Sequence, residues 1–220
     1  MIVLVVVLLM LSLTTVPTLP LAVNWGLLTN YYTLAIVLLT LGIVRYYRIY
    51  QSNKQGFEGE NRVTRYLRSN FSDDHFLVND IVYINDKGHN ENIDHIVLSP
   101  NGIFAIETKD YRGKIMCRGS FWTVPFPYGR SPSKQARGSA YWVKKIVDAS
   151  GILQDVNLWV NPIVVFSNPD VELEAIDPEV EVVKLDDLAD SINSFSHGYN
   201  FSEAQLKTIG EKIMEKALSV

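Results

Sequence analysis

Two carboxylates and a lysine stand close together near the middle of the chain: Asp94, Glu107 and Lys109. Carboxylate oxygens are hard ligands that suit Mg²⁺ or Mn²⁺. An ammonium two residues from one of them can orient a metal-bound water or stabilise negative charge developing on phosphorus. Residues 92–99 and 103–109 read as strands joined by Ser99-Pro100-Asn101-Gly102. Pro100 suits the second position of a type I turn and Gly102 its last, so a tight hairpin is expected. Alternate residues of a strand share a face, which points Glu107 and Lys109 the same way. With Ser99 opposite Gly102, the register runs on to Asp94 opposite Glu107, their Cβ atoms roughly 5 Å apart. Like charges that close destabilise a sheet. A divalent cation between the two would turn the repulsion into a binding site.

Glu60 is the next informative acid. It lies three residues before Val63 and seven before Leu67, on the apolar side of an expected helix. Its ordinary reading is helix-start electrostatics, because acids are favoured in a first turn. Gly56 and Gly59 precede it, and missing side chains let a helix approach another backbone closely. An inward-facing Glu60 is then a candidate third acid. Gln135, behind Pro132 at a helix entrance, could hydrogen-bond a phosphate or an attacking water; a lone glutamine is more often a surface residue. Lys109 too has an ordinary reading as solvated surface charge.

Arg62, Arg65 and Arg68 recur every third residue on the same helix, and Arg130, Lys134, Arg137, Lys144 and Lys145 lie around a second one. Of these, Arg62, Arg65, Arg130, Lys134 and Arg137 are the candidate nucleic-acid contacts. The formal net charge of −4 does not oppose this, since phosphate binding needs only a local cluster. Exposed helix faces are also basic for solubility alone. His75, His89, His95 and His197 lack the close pairs of a zinc site and read as structural. Trp122, Trp142 and Trp159 read as core. No spacing supports Ser-His-Asp catalysis or a phosphate-cradling glycine loop.

The elements that must position these residues follow from the hydrophobic pattern. A helix begins near Phe57. Strands are expected at 76–84, 92–99, 103–109, 114–118 and 121–124. A Pro- and Gly-bearing loop at 125–132 leads to a helix over 133–149. Further strands are expected at 163–166 and 180–185, and helices at 186–192 and 202–218. The sum is an α/β fold, a mixed central sheet flanked by helices.

The first 44 residues contain no charged residue or histidine, so all 20 basic and 24 acidic residues follow them. Residues 1–50 are read as a membrane anchor, one or two transmembrane helices, with a two-span hairpin over about 1–23 and 27–47 as the leading form. A span needs roughly 20 apolar residues. Tyr31, Tyr32, Tyr46 and Tyr47 are placed as interfacial belts. Arg45, Arg48 and Lys54 follow the second run, which puts the rest of the chain, and with it the C-terminal domain, on the cytoplasmic side. A rival reading makes the first run a cleaved signal peptide, although it lacks a positive n-region. Residues 51–55 read as a polar linker and 56–220 as one globular domain ending in helices. The lone Cys117 permits no internal disulfide.

Taken in order, Gly56-Phe-Glu-Gly59-Glu60, Ile93-Asp94-His95-Ile96-Val97, Gly102-Ile-Phe-Ala-Ile-Glu107-Thr-Lys109, Gly113-Lys-Ile, Trp122 and Ser131-Pro132-Ser-Lys-Gln135 resemble the nuclease-related domain (NERD) family. That family is similar to the PD-(D/E)xK restriction-endonuclease-like nucleases. The resemblance covers about 56–166. It implies a restriction-endonuclease-like fold, Asp94 and Glu107 as metal ligands, Lys109 as the catalytic lysine, and Glu60 and Gln135 as the supporting acid and glutamine. It also implies Mg²⁺ or Mn²⁺ as cofactor and DNA or RNA as substrate. Ser131 stands where the family pattern usually has Asn, which bears on the loop more than on the metal site. The expectation is therefore a membrane-anchored, metal-dependent nuclease. The alternative is a non-catalytic module of the same fold that binds nucleic acid or protein at the membrane.

Overall fold

The computed structural model describes residues 25–72, 74–124, 131–152, 158–196 and 198–217. The chain divides into two compact units, Met1–Tyr50 and Gln51–Val220. Helix α1 (Trp25–Asn70) begins in the first and ends in the second. In the first unit its large apolar side chains are exposed, among them Tyr31, Leu34, Leu38, Leu39, Leu41 and Tyr46. Among the described residues one helix, Asn30–Asn70, is long and apolar enough by length and composition to cross a membrane. The first apolar run lies outside the described residues.

Residues 51–55, expected as a linker, are helical, so the helix expected from Phe57 is the last part of α1. The reason is local. Gln51-Ser52-Asn53-Lys54-Gln55 contains neither Pro nor Gly, and Lys54 pairs with Glu58 one turn on at 3.7 Å.

In the second unit a five-stranded mixed sheet has the order β1-β2-β3-β6-β8. Its strands are β1 (Phe76–Ile84), β2 (Asn90–Ser99), β3 (Gly102–Lys109), β6 (Val160–Phe166) and β8 (Glu181–Lys184). β1, β2 and β3 are antiparallel, whereas β3, β6 and β8 run parallel. The remaining strands are not part of one central sheet, as expected from sequence, but form a second one. It has the order β5-β4-β7, from β4 (Gly113–Arg118), β5 (Phe121–Thr123) and β7 (Val171–Ile176).

Helices cover both faces of the main sheet. α2 (Pro132–Ala149) and α4 (Glu203–Ala217) bury Ala140, Val143, Ile146, Leu206, Ile209 and Ile213 against Ile81, Ile96, Leu98 and Ile103. On the other face α1 contributes Val63 and Leu67, and α3 (Leu188–Ser194) contributes Leu188 and Ile192, against Val97, Phe104, Ile106 and Val165. Each of the Val, Leu, Ile and Phe side chains, removed from water, contributes about 1.5–3 kcal/mol. Together they fix α1 over the strands that carry the acids. A third cluster joins Ile115 and Val171 of the small sheet to Ala136, Val164 and Phe166.

The hairpin between β2 and β3 has the expected register, Ser99↔Gly102 through His95↔Ile106. Asn101 in its turn donates to the carbonyls of Ile192 (2.7 Å) and Phe195 (3.0 Å), tying the hairpin to the end of α3.

Candidate active site

The β2–β3 ladder stops at His95↔Ile106, one step short of Asp94 and Glu107. From there β3 runs on beside β6, with Glu107↔Val164 and Lys109↔Phe166, while β2 continues only with β1. Asp94 therefore sits at a fork. Its Oδ2 accepts the Thr108 N–H at 2.7 Å, so the acid bonds across the fork to the residue after Glu107.

Both acids are nearly dry, Asp94 at 8% and Glu107 at 5% exposure. Lys109 Nζ donates to Glu107 Oε1 at 2.6 Å. Burial, and then the neighbouring Glu107, push the Asp94 carboxyl up to about 8, against the opposing Thr108 hydrogen bond. Burial works against a charge on Lys109, but the Glu107 carboxylate more than offsets it and holds the ammonium above its usual range. Lys109 is thus a fixed cation rather than a base.

Glu60 reaches the same place from α1. It shares a face with the fully buried Val63 and Leu67, and its carboxyl is raised by partial burial and by Asp80 and Glu107. Gly59 is what allows the approach: a Cβ there would lie 2.9 Å from Asp110 Cβ and 2.9 Å from Ser167 Oγ. Gly56, by contrast, has nothing within 4 Å of such a Cβ, so only one of the two glycines serves close packing. Asp110 clamps the helix in place. Its carboxylate accepts from Arg62 Nη2 and from Ser167 Oγ (3.3 Å), and its carbonyl accepts from Gln55 Nε2 at 2.6 Å.

Glu60, Asp94, Glu107, Thr108, Lys109 and Asp110 line an open cleft of about 680 Å³. Gln135 is not among its lining residues. It lines a different depression between α2 and the β1–β2 ribbon, beside Tyr83, Asn85 and Glu91.

The expected phosphate contacts divide. Arg62 is committed to Asp110 and, at 3.2 Å, to the Ser167 carbonyl, so it is a structural ion pair rather than an outward-facing one. Arg137 pairs with Glu179 at 3.0 Å. Arg65 and Lys134 are exposed, and Arg130 lies outside the described residues. His95 is buried against Asn79 Oδ1 at 2.8 Å, with burial lowering its pKa to about 4, while His75 bonds Asp74 at 2.7 Å; His197 lies outside the described residues. Trp159, expected in the core, is 60% exposed.

Two participants were not anticipated. Asp110 follows Lys109 directly, and nothing in local spacing marks it as a helix clamp. Asp80 lies across from Asp94 with a left-handed backbone, φ 54°, a property that side-chain pattern does not announce.

Among the described residues no group of three or more His, Cys, Asp or Glu could hold a metal ion on protein ligands alone. Mg²⁺ asks for less, commonly one or two carboxylates completed by waters and phosphate. Two dry, mutually repelling acids fit that demand, because a cation removes the penalty that lifts Asp94.

Residues 55–167 match the family described as NERD, nuclease-related domain. No curated protein matches the chain. Among solved structures there is a likeness to SfsA of Pyrococcus furiosus in complex with Ca²⁺, at 12% identity and a TM-score of 0.29, covering 76% of this chain. The chain spans about half the length of that protein, 54%.

Proposed function

The chain belongs to the nuclease-related domain family, and from that premise we propose that it is a metal-dependent nuclease that hydrolyses phosphodiester bonds of DNA or RNA while held at a membrane. The observation that carries this reading is the dry Asp94–Glu107 pair opening onto a cleft with Lys109 Nζ 2.6 Å from Glu107 Oε1.

Asp94 and Glu107 would hold Mg²⁺ or Mn²⁺, which supplies Lewis-acid polarisation of the phosphodiester and a water of lowered pKa. The chain's own groups do the rest. Lys109, kept protonated by Glu107, faces negative charge developing on the phosphorus oxygens. Glu60, its carboxyl raised, is suited to hold or pass a proton on the helix side of the cleft. The Thr108 N–H fixes the rotamer of Asp94. Gln135 is outside the acid cleft and is assigned no step. Arg65 and Lys134 remain the exposed candidates for phosphate contact.

The apolar helix Asn30–Asn70 supports a membrane location. The basic residues Arg45, Arg48 and Lys54 support a cytoplasmic domain.

The test uses the full chain in detergent with labelled single- and double-stranded DNA and RNA, in Mg²⁺, Mn²⁺ or EDTA. Metal-dependent cleavage of any of these is the expected result. Binding without cleavage in every metal would replace this reading with the non-catalytic module.

A further inference from the structure

Asp80 lies in the middle of β1, yet its φ of 54° is in the left-handed region that an extended strand does not use. Asp is one of the few residues that tolerates it. The β1–β2 ladder pairs Asn79↔His95 and Ile81↔Ile93 in unbroken register but leaves out the position between them, Asp80 and Asp94.

The consequence is visible in the core. Before the interruption Phe76 and Val78 pack on the cluster that contains Ile96 and Leu98. After it, Ile81 and Tyr83 pack on that same cluster, together with Ile93. Plain alternation would send Ile81 and Tyr83 to the opposite face from Val78. The backbone at Asp80 therefore resets which residues point inward, and β2 makes the matching reset between Ile93 and Ile96. Asp94 stands at that reset, out of the β1–β2 ladder, its carboxylate on the Thr108 N–H at 2.7 Å.

We propose that Asp80 is a positioning residue acting through its left-handed backbone rather than its carboxylate. It turns Asp94 out of the sheet and into the acid cleft. The importance of that cleft rests on the nuclease reading, but the positioning itself can be tested without it. The carboxylate of Asp80 also lies near enough to Glu60 to be felt there, so the two roles must be separated.

Four variants of the full chain in detergent make the separation. Asp80→Asn and Asp80→Gly remove the charge and keep the backbone accessible. Asp80→Ala and Asp80→Val penalise it, the β-branched Val most. The first readout is the Thr108 amide in EDTA, its chemical shift and hydrogen-exchange protection. The second is Mn²⁺ affinity. The Asn and Gly variants are expected to keep both within about threefold, and Ala and Val to lose about tenfold or more, the usual effect of disturbing a group that orients a ligand. If Val does not fold, Ala decides. Loss of Mn²⁺ affinity in Asn and Gly equal to that in Ala would overturn the proposal and assign the role to the carboxylate. An undisturbed Thr108 amide in the Ala or Val variant would overturn it as well. A wild-type chain that binds no Mn²⁺ would fail the nuclease reading instead, and the Thr108 amide would still decide on Asp80.

Discussion

Lys109 and Glu107 lie on the same face of β3, two residues apart, and join ammonium to carboxylate at 2.6 Å while both are largely shielded from water. This pair leaves Asp94, at the adjoining fork, with the Thr108 N–H as its partner and no ion pair among the described contacts. The first prediction follows. Asp94→Asn keeps an oxygen that can accept the Thr108 N–H and removes an acid that the apo protein, by raising it to about 8, must keep protonated at neutral pH. In EDTA at pH 7 it should stabilise the chain by about 2 kcal/mol, a rise of roughly 4–8 °C in Tm for a chain of this size. Stabilisation by added Mn²⁺ should disappear in the same variant. Differential scanning fluorimetry with and without metal checks both.

The pH dependence of apo stability has a definite sign. The folded-state value of Asp94, about 8, lies above its ordinary 3.8, so its contribution is fully present below that ordinary value and is lost as pH rises through 8. His95 acts oppositely: its folded value of about 4 lies below 6.5, so stability is lost as pH falls from 6.5 towards 4. Between these values the two oppose each other; above 6.5 Asp94 is no longer opposed by His95, and Glu60, also raised, acts in the same direction as Asp94. Denaturant midpoints in EDTA should fall between pH 6.5 and 8, and Asp94→Asn should flatten that slope.

Much of this arrangement was readable beforehand, and the exceptions have physical causes. Ser-Pro-Asn-Gly specifies a tight turn, and a tight turn sets the hairpin register, so the expected pairing of Ser99 with Gly102 is observed. Extending that register to Asp94 opposite Glu107 assumes uninterrupted alternation, and the left-handed Asp80 breaks the assumption. Strand β7 was missed although Val171 and Leu173 alternate with Glu172 and Glu174; its acidic outer face masked a short edge strand. Arg62 looks like its neighbours Arg65 and Arg68 in sequence, and only the fold brings Asp110 to it.

Gly56 and Gly59 of α1 give opposite outcomes when replaced. Gly59→Ala puts a methyl 2.9 Å from Asp110 Cβ, whose own position is fixed by Arg62, Ser167 and the end of β3. It should destabilise the chain by about 1–3 kcal/mol. Gly56→Ala meets no atom within 4 Å and should gain up to about 1 kcal/mol from helix propensity. Chemical denaturation of the two variants checks the pair.

Arg62 and Arg65 separate structure from binding. Arg62→Ala leaves the 6%-exposed Asp110 carboxylate without its cation and should cost roughly 3 kcal/mol of stability. Arg65→Ala removes an exposed charge, should change stability by less than about 0.5 kcal/mol, and should weaken nucleic-acid binding with a smaller salt slope. Thermal denaturation and fluorescence anisotropy at several salt concentrations distinguish them.

The central claim is that Asp94, Glu107 and Lys109 form a metal-dependent phosphodiesterase centre. Its most direct test is cleavage of a labelled nucleic acid by the full chain in Mg²⁺ or Mn²⁺, with Glu107→Ala and Lys109→Ala measured beside the wild type after each is shown to be folded. The account predicts cleavage by the wild type that EDTA stops, and a loss of about 10²-fold or more in each variant. Cleavage undiminished in either folded variant, or unaffected by EDTA, would contradict it.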